Sequence, residues 1–363
     1  MESVDVLVVG AGVTGLASAY AVASRGLSVA VLERHPRPGL DTSTRNSGVI
    51  HAGLYYPAGS LKAQLCVEGR RLLYEFCDEW QVPHEKCGKI VVAHDQSEVA
   101  ALEALLARGT GNGVEGLALV DAGFVADREP AIHAVAALYS PETGVVEQES
   151  LVRALLRAGT AAGVMFLPGT RLEGASPSAN GIVVRTGREA IVARQVVNAA
   201  GLYADEVSKA LGGEAFTIYP CRGEYVELTP SRRSLVNALV YPLPHGHGLG
   251  VHLIRDFGGA VRLGPTVRYQ SARDDYDGDP LPVEAFVEPA RRLLREVSLG
   301  DLRLSNSGIR AKLHPPEEFF ADFLIRRDRV NPSVVQAAGI DSPGLTSCLA
   351  IGRLVSRLVA DAA

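Results

Sequence analysis

Cysteine is scarce in this chain, and the few present do not pair. Cys66, Cys77, Cys87, Cys221 and Cys348 are five in 363 residues, an odd number with no C-x-x-C spacing. That gives no indication of a disulfide framework or a structural zinc site, and it points to free thiols in a reducing compartment. No apolar run approaches the roughly 20 residues that span a bilayer, so membrane association is at most peripheral. The opening Met1-Glu2-Ser3-Val4-Asp5 is acidic where a secretory signal is basic, and a cytoplasmic location is expected. Charge of one sign is nowhere concentrated. With 36 basic and 41 acidic residues the net charge is −5, and no nucleic-acid partner is expected. An anionic small molecule stays open, because a few local arginines can reverse the potential inside a pocket.

Apolar residues are plentiful. At 47% hydrophobic and 21% charged the chain can bury a sizeable core, and its length suggests roughly two domains. Repeats and low-complexity linkers are missing, so the domains are expected to interleave. Residues 4–9 read as a strand, 16–24 as a small-residue helix and 28–32 as a second strand ending at Glu33. Between the first two lies Gly10-Ala11-Gly12-Val13-Thr14-Gly15, a dinucleotide fingerprint in its required βαβ context. Gly10 permits the tight turn, Gly12 lets the backbone approach a pyrophosphate, and Gly15 lets helix and strand touch. The helix start offers unpaired N–H groups to phosphate, with Thr14 in its first turn. Glu33 is placed to accept from ribose hydroxyls, with Arg34 beside it, and its charge argues against a 2′-phosphate.

A second match to the same pattern, Gly111-Asn112-Gly113-Val114-Glu115-Gly116, follows a helical stretch at 98–108 instead of a strand and reads as a loop. Strands are expected at 89–93, 164–167, 182–185, 190–197, 219–228, 250–254, 260–264 and 334–338, with helices at 148–162 and 347–360. The strand at 190–197 runs into Asn198-Ala199-Ala200-Gly201, small residues that suit close approach by a nucleotide. The acidic turn at 274–280 lacks the full calcium-loop ligand spacing and reads as a solvated loop, so no metal is expected.

One fingerprint fits NAD or FAD. Three features favour FAD. A polar loop, Thr42-Ser43-Thr44-Arg45-Asn46-Ser47, follows the acidic residue where a long cofactor would continue. A second glycine turn, Gly339-Ile340-Asp341-Ser342-Pro343-Gly344-Leu345-Thr346, runs into the last helix and can present N–H groups to a flavin ring. No second fingerprint exists in strand–turn–helix context to hold a separate nicotinamide. The loop then continues through Gly48-Val49-Ile50-His51-Ala52-Gly53-Leu54-Tyr55-Tyr56-Pro57, which can run along a flat cofactor and present a histidine.

These segments resemble the FAD-dependent family containing D-amino acid oxidase, glycine oxidase and glycerol-3-phosphate dehydrogenase. Within it the likeness is greatest to the L-2-hydroxyglutarate dehydrogenase/oxidase branch. It is carried by residues 45–57 with Ser60-Leu61-Lys62-Ala63, Lys86-Cys87-Gly88-Lys89, Thr143-Gly144-Val145-Val146 and residues 198–205. Further on it includes Pro220-Cys221-Arg222-Gly223-Glu224-Tyr225, Leu249-Gly250-Val251-His252, Leu263-Gly264-Pro265, Gly308-Ile309-Arg310-Ala311-Lys312, Asp322-Phe323-Leu324-Ile325 and the segment 341–346. The resemblance implies an α/β fold: a glutathione-reductase-like Rossmann FAD-binding domain with an interleaved α+β substrate domain on a mostly antiparallel sheet. The expected bounds are 1–85, 145–215 and 300–363 for the first domain, and 86–144 and 216–299 for the second.

The implied activity is oxidation of an L-2-hydroxy acid, L-2-hydroxyglutarate to 2-oxoglutarate, with oxygen, a quinone or a carrier protein taking the electrons. Such chemistry needs a base, a carboxylate anchor and a group that stabilises the reduced ring. His51 is the candidate base, since an unperturbed imidazole titrates near neutrality; its rival role is structural, bonding the flavin or backbone. Arg310 is the candidate anchor, because the resembling segment in amino-acid oxidases carries an arginine that forks onto the α-carboxylate. A second carboxylate needs a further clamp, for which Tyr55, His252, Tyr241, Lys312 and Arg222 are candidates. Cys221, without a base beside it, reads as packing. The rival readings are an amino-acid or amine oxidase, a flavin-binding protein without turnover, and a nicotinamide-dependent reductase.

Overall fold

The computed structural model describes residues 2–244, 250–294 and 296–361. Leu249, which begins one of the resembling segments, lies outside the described residues. The fingerprint is embedded as its pattern predicts: strand Glu2–Val9, helix Val13–Ala23, strand Val29–Leu32. Gly10 sits at φ +102°, and a Cβ at Gly15 would lie 1.9 Å from its carbonyl oxygen, so only glycines let the turn close against the helix.

Glu2–Val9 lies at the centre of an eight-stranded sheet, paired parallel with Val29–Leu32 on one edge and Ala190–Asn198 on the other. Met165–Leu167 and Val334–Ala338 extend it outward, again in parallel. The chain thus leaves the central strand to one side and later returns on the other. This opens a crevice beyond the carboxyl ends at Val9 and Asn198, the usual place for a nucleotide in such sheets. Helix Val13–Ala23 is covered by the C-terminal helix Gly344–Ala360, and their backbones nearly touch: a Cβ on Gly352 would sit 2.5 Å from the Ala17 oxygen. The Ala- and Ser-rich helix sequence suits that approach.

A nine-stranded sheet forms the second layer, antiparallel throughout except where Lys89–Ala93 runs parallel to Leu239–Pro242. It is the mostly antiparallel sheet expected from the sequence, and the architecture as a whole is α/β. A small sheet of Val49–Ile50, Gly144–Val146 and His84–Glu85 lies in neither large sheet. Two large elements go beyond the sequence reading. Helix Leu61–Glu79 buries Lys62 and Arg70 on its apolar face, which blurs its periodicity. Strand Leu302–Lys312 begins with a run of mostly exposed residues that hides its alternation. The second glycine pattern begins inside the helix Val99–Gly111, whose last residue is its Gly111, and from the cap Asn112 onward it is the loop expected.

Register in the second sheet decides what meets what. Cys221 pairs with Arg310 and Gly223 with Gly308, while Tyr241 pairs with Val91 and Leu239 with Lys89. Val240 pairs with Leu253, which sets Tyr241 opposite His252. Paired residues point to one side of a sheet and side chains alternate along a strand. Lys89, Tyr241, His252, Tyr225, Gly223, Arg310 and Lys312 therefore share the face turned toward the crevice.

Candidate functional site

A continuous cavity of about 670 Å³ runs from Glu33 at one end to Arg310 and His252 at the other. Its first stretch is lined by Gly10, Gly12, Thr14, Glu33, Arg34 and Ser43, with Ala200 and Gly201 opposite. The Val13 N–H at the helix start donates to Ser43 Oγ at 3.0 Å. Ser43 was read only as part of a polar loop; nothing in the spacing shows that it reaches the helix. Glu33 holds the glycine turn itself: its Oε2 accepts from Ala11 N–H at 2.9 Å and its Oε1 from His35 N–H at 2.8 Å. Arg34 lies 3.9 Å from the Tyr203 ring centroid and bonds Asp41 at 2.9 Å.

The middle of the cavity is walled by Arg45, Asn46 and Ser47 on one side and Ile340 to Leu345 on the other. Asn46 folds its loop by donating to the carbonyls of Thr42 and Ser43 and accepting from Gly48 N–H. Four expected cofactor residues do not line the cavity but shape it. Gly15 closes the turn, Thr44 donates to the Gly39 carbonyl, Gly339 turns at φ +65°, and Thr346 Oγ1 accepts from His51 N–H at 2.9 Å. Thr346 thereby ties the histidine loop to the start of the last helix. Asp341 is buried between Lys62 at 2.6 Å and Lys312 at 3.4 Å. Burial alone would raise its carboxyl, but the two lysines outweigh that and hold it below its usual value.

These walls fit an elongated dinucleotide. The glycine turn is open where a Cβ would fill it, a helix start points into the crevice, and the far turn offers the backbone of residues 342–345 at a second helix start.

At the far end, His51, Tyr55, Tyr241, His252, Lys312 and Arg310 all line the cavity. Six of the seven expected catalytic and substrate residues therefore share one pocket, the two catalytic candidates among them. Arg222 is the exception and a correction. It alternates to the opposite face of its strand, buried, with a salt bridge to Glu224 at 3.0 Å and a bond to the Gly278 carbonyl. It cannot clamp a ligand from there. Arg310, by contrast, has no carboxylate partner among the described residues. Its two terminal nitrogens share the Thr266 carbonyl at 3.2 Å each, with Cys221 Sγ at 3.8 Å. Gly223 makes room for it: a Cβ there would fall 2.8 Å from Nη2.

His51 corrects a second expectation. Its ring faces the cavity with Nε2 3.3 Å from Ser342 Oγ and Nδ1 buried without a partner. Burial, then the nearby Lys89 and His252, push its pKa down to about 3, far from neutrality. The imidazole is therefore neutral, a base in its proton-accepting form. His252, stacked on Tyr241 at 3.8 Å between centroids, is likewise pushed to about 3, chiefly by burial, and its Nδ1 lies 2.9 Å from the Gly250 carbonyl. The sequence reading gave Lys62 and Lys89 no role. Their signal was a lysine set in a buried apolar stretch, most plainly Lys89 at the head of Ile90-Val91-Val92-Ala93.

Among the described residues, no group of three or more His, Cys, Asp or Glu could hold a metal ion, and no helix is long and apolar enough to cross a membrane.

Comparison with known proteins gives a consistent result. Residues 5–358 match the family model described as FAD dependent oxidoreductase. The L-2-hydroxyglutarate dehydrogenase of Arabidopsis thaliana, a mitochondrial protein, is 37% identical over 98% of this chain and 83% of its own length. The L-2-hydroxyglutarate dehydrogenase of Escherichia coli K12 is 30% identical over 98% and 93%. Among solved structures, the FAD-bound L-alpha-glycerophosphate oxidase of Mycoplasma pneumoniae superimposes with a TM-score of 0.90 at 27% identity, covering 99% of this chain and 95% of that one. Glycine oxidase of Geobacillus kaustophilus follows the same fold, with a TM-score of 0.84 at 22% identity and coverage of 99% and 95%.

Proposed function

The chain belongs to the FAD dependent oxidoreductase family, and from that premise we propose that it oxidises L-2-hydroxyglutarate to 2-oxoglutarate. One observation carries the substrate class: a guanidinium without a carboxylate partner faces the same cavity as a neutral histidine. An anionic substrate supplies what Arg310 lacks, and a hydroxyl supplies the proton that His51 can take. The relatives at 30–37% identity support the particular hydroxy acid.

FAD would be held by the backbone of residues 10–14, by Glu33, by Arg45 to Ser47 and by residues 342–345. When bound, the flavin supplies the acceptor for the α-hydrogen and its electron pair. Arg310 forks onto the α-carboxylate and fixes the α-carbon against the cavity wall. His51 accepts the hydroxyl proton as the carbon–oxygen double bond forms. A base near pKa 3 is weak, but substrate anions brought into the cavity favour its protonated form and raise it toward the working range. Tyr55, Tyr241 and His252 line the space left for the second carboxylate. Lys62 and Lys312 leave the Asp341 cluster with a net positive charge at the helix start, suited to stabilising negative charge there.

The eight-stranded sheet supports assigning residues 1–85, 145–215 and the final segment to cofactor binding, and the nine-stranded sheet supports 86–144 and 216–299 for substrate. Because Leu302–Lys312 joins the second sheet, we set the last boundary after it. A reducing, cytoplasmic setting and an acceptor that is oxygen, a quinone or a carrier protein belong to the same proposal.

The test is an anaerobic panel of 2-hydroxy and 2-amino acids, both enantiomers, read at the flavin absorbance band. L-2-hydroxyglutarate should bleach the wild type. Arg310→Ala should lower kcat/KM by about 100-fold or more, since a charge-assisted pair is lost. Bleaching by glycine or D-amino acids alone would replace this reading with that of an amino-acid oxidase.

A further inference from the structure

Lys89 is 1% exposed and makes no ion pair among the described residues. Its ammonium lies 4.5 Å from the Tyr55 ring centroid and 4.6 Å from that of Tyr241, so it is held between two π-systems. Lysine is almost never fully buried without a partner. Both tyrosines line the cavity, and both hydroxyls are buried without a hydrogen-bond partner. A buried cation backed onto two unsatisfied donors is half of an anion site.

None of its neighbours completes the charge. Cys66 is pushed up to about 12 by burial and stays a thiol. Burial also raises the Tyr55 and Tyr241 hydroxyls, while His51 and His252 are held neutral. Burial lowers Lys89 itself to about 7, so a negative charge that holds it fully protonated has to arrive with a ligand.

We propose that Lys89 is a specificity-determining residue: acting through Tyr55 and Tyr241, it makes the pocket select a second carboxylate on the substrate. The two hydroxyls donate to that carboxylate directly. The cation over their rings draws electron density from the phenols and strengthens them as donors, in surroundings too apolar to screen it. Arg310 sees any 2-hydroxy acid, whereas Lys89 sees only a dicarboxylate. The identity of the ligand rests on the activity proposed above; the preference for a second carboxylate is tested apart from turnover.

The experiment is calorimetric titration of the flavin-loaded enzyme with glutarate and with pentanoate, which match in chain length and differ by one carboxylate. Wild type should bind glutarate more tightly. Lys89→Met keeps the stem and removes the charge; it should weaken glutarate by about 10-fold or more and pentanoate by less than about 3-fold. Tyr55→Phe and Tyr241→Phe keep the rings and should each weaken glutarate selectively, by about 3- to 10-fold. Equal losses for both ligands, or none for glutarate, would overturn the proposal. If Lys89→Met fails to load flavin, the two phenylalanine variants decide alone, and no selective loss in either sinks it. Selective glutarate binding in an enzyme that leaves L-2-hydroxyglutarate unoxidised would uphold Lys89 and reject the activity.

Discussion

His51 shows how far a residue's chemistry departs from its free-solution value once the fold surrounds it. A solvated imidazole would lose its basic form as pH falls through about 6.5. Here burial comes first, with Lys89 and His252 adding to it, and the folded pKa lies near 3. The sign follows directly. Between 6.5 and 3 the folded histidine stays neutral while an unfolded one would be charged, so the base remains competent as the medium turns acid. In the profile of kcat/KM, which reports the free enzyme, the acid limb due to His51 should therefore lie below pH 5. A limb near 6.5 in wild type that persists in the Lys89→Met enzyme, where the lysine can no longer be its source, would show that the cavity does not depress the imidazole.

At the scale of elements, the cofactor end is legible from local pattern, whereas the substrate end is legible only through the family resemblance, for a physical reason. The turn at Gly10 to Gly15, its flanking strands and the acidic end at Glu33 are contiguous in sequence, so local rules find them. The substrate wall comes from strands far apart in the chain, and what unites Lys89, Tyr241, His252 and Arg310 is register. Strand positions 219–228 and 89–93 were read from their patterns, yet the pairing Cys221 with Arg310 was not. Arg222 was misassigned on that account, since a shift of one residue moves a side chain to the other face. The same pairing makes Gly223 a test. A Cβ there would lie 2.8 Å from Pro265 Cβ as well as from Arg310 Nη2. The guanidinium can swing aside, but the proline ring is tied to the backbone and the strands must also give. Gly223→Ala should therefore lower the melting temperature and, in the protein that still folds, cut kcat/KM on the hydroxy acid about 10- to 100-fold, the usual cost of misaiming a positioning group by an ångström. Unchanged kcat/KM would mean that Gly223 does not set the aim of Arg310.

Across the whole molecule, the site is assembled at the expense of stability, and Lys89 makes that measurable. Burial lowers its pKa from 10.5 to about 7. Between those values the unfolded chain binds a proton that the folded one lacks, so stability falls as pH drops from about 10 to 7. Below 7 both states carry the charge and the desolvation cost is fully present. Natural proteins tolerate such groups where function needs them, and replacing one with an apolar residue of similar shape often stabilises the fold. Lys89→Met should therefore melt higher than wild type at pH 6 to 7, by a margin on the order of a few kcal/mol in unfolding free energy. The margin should narrow as pH approaches 10, because deprotonation relieves the wild type of the same cost. Melting curves of both flavin-loaded proteins across that range decide the matter. A variant no more stable than wild type at pH 6 would mean that the tyrosine rings fully compensate the buried charge. A higher melting point joined to lost glutarate selectivity would identify Lys89 as a residue kept for what it binds, against what it does to the fold.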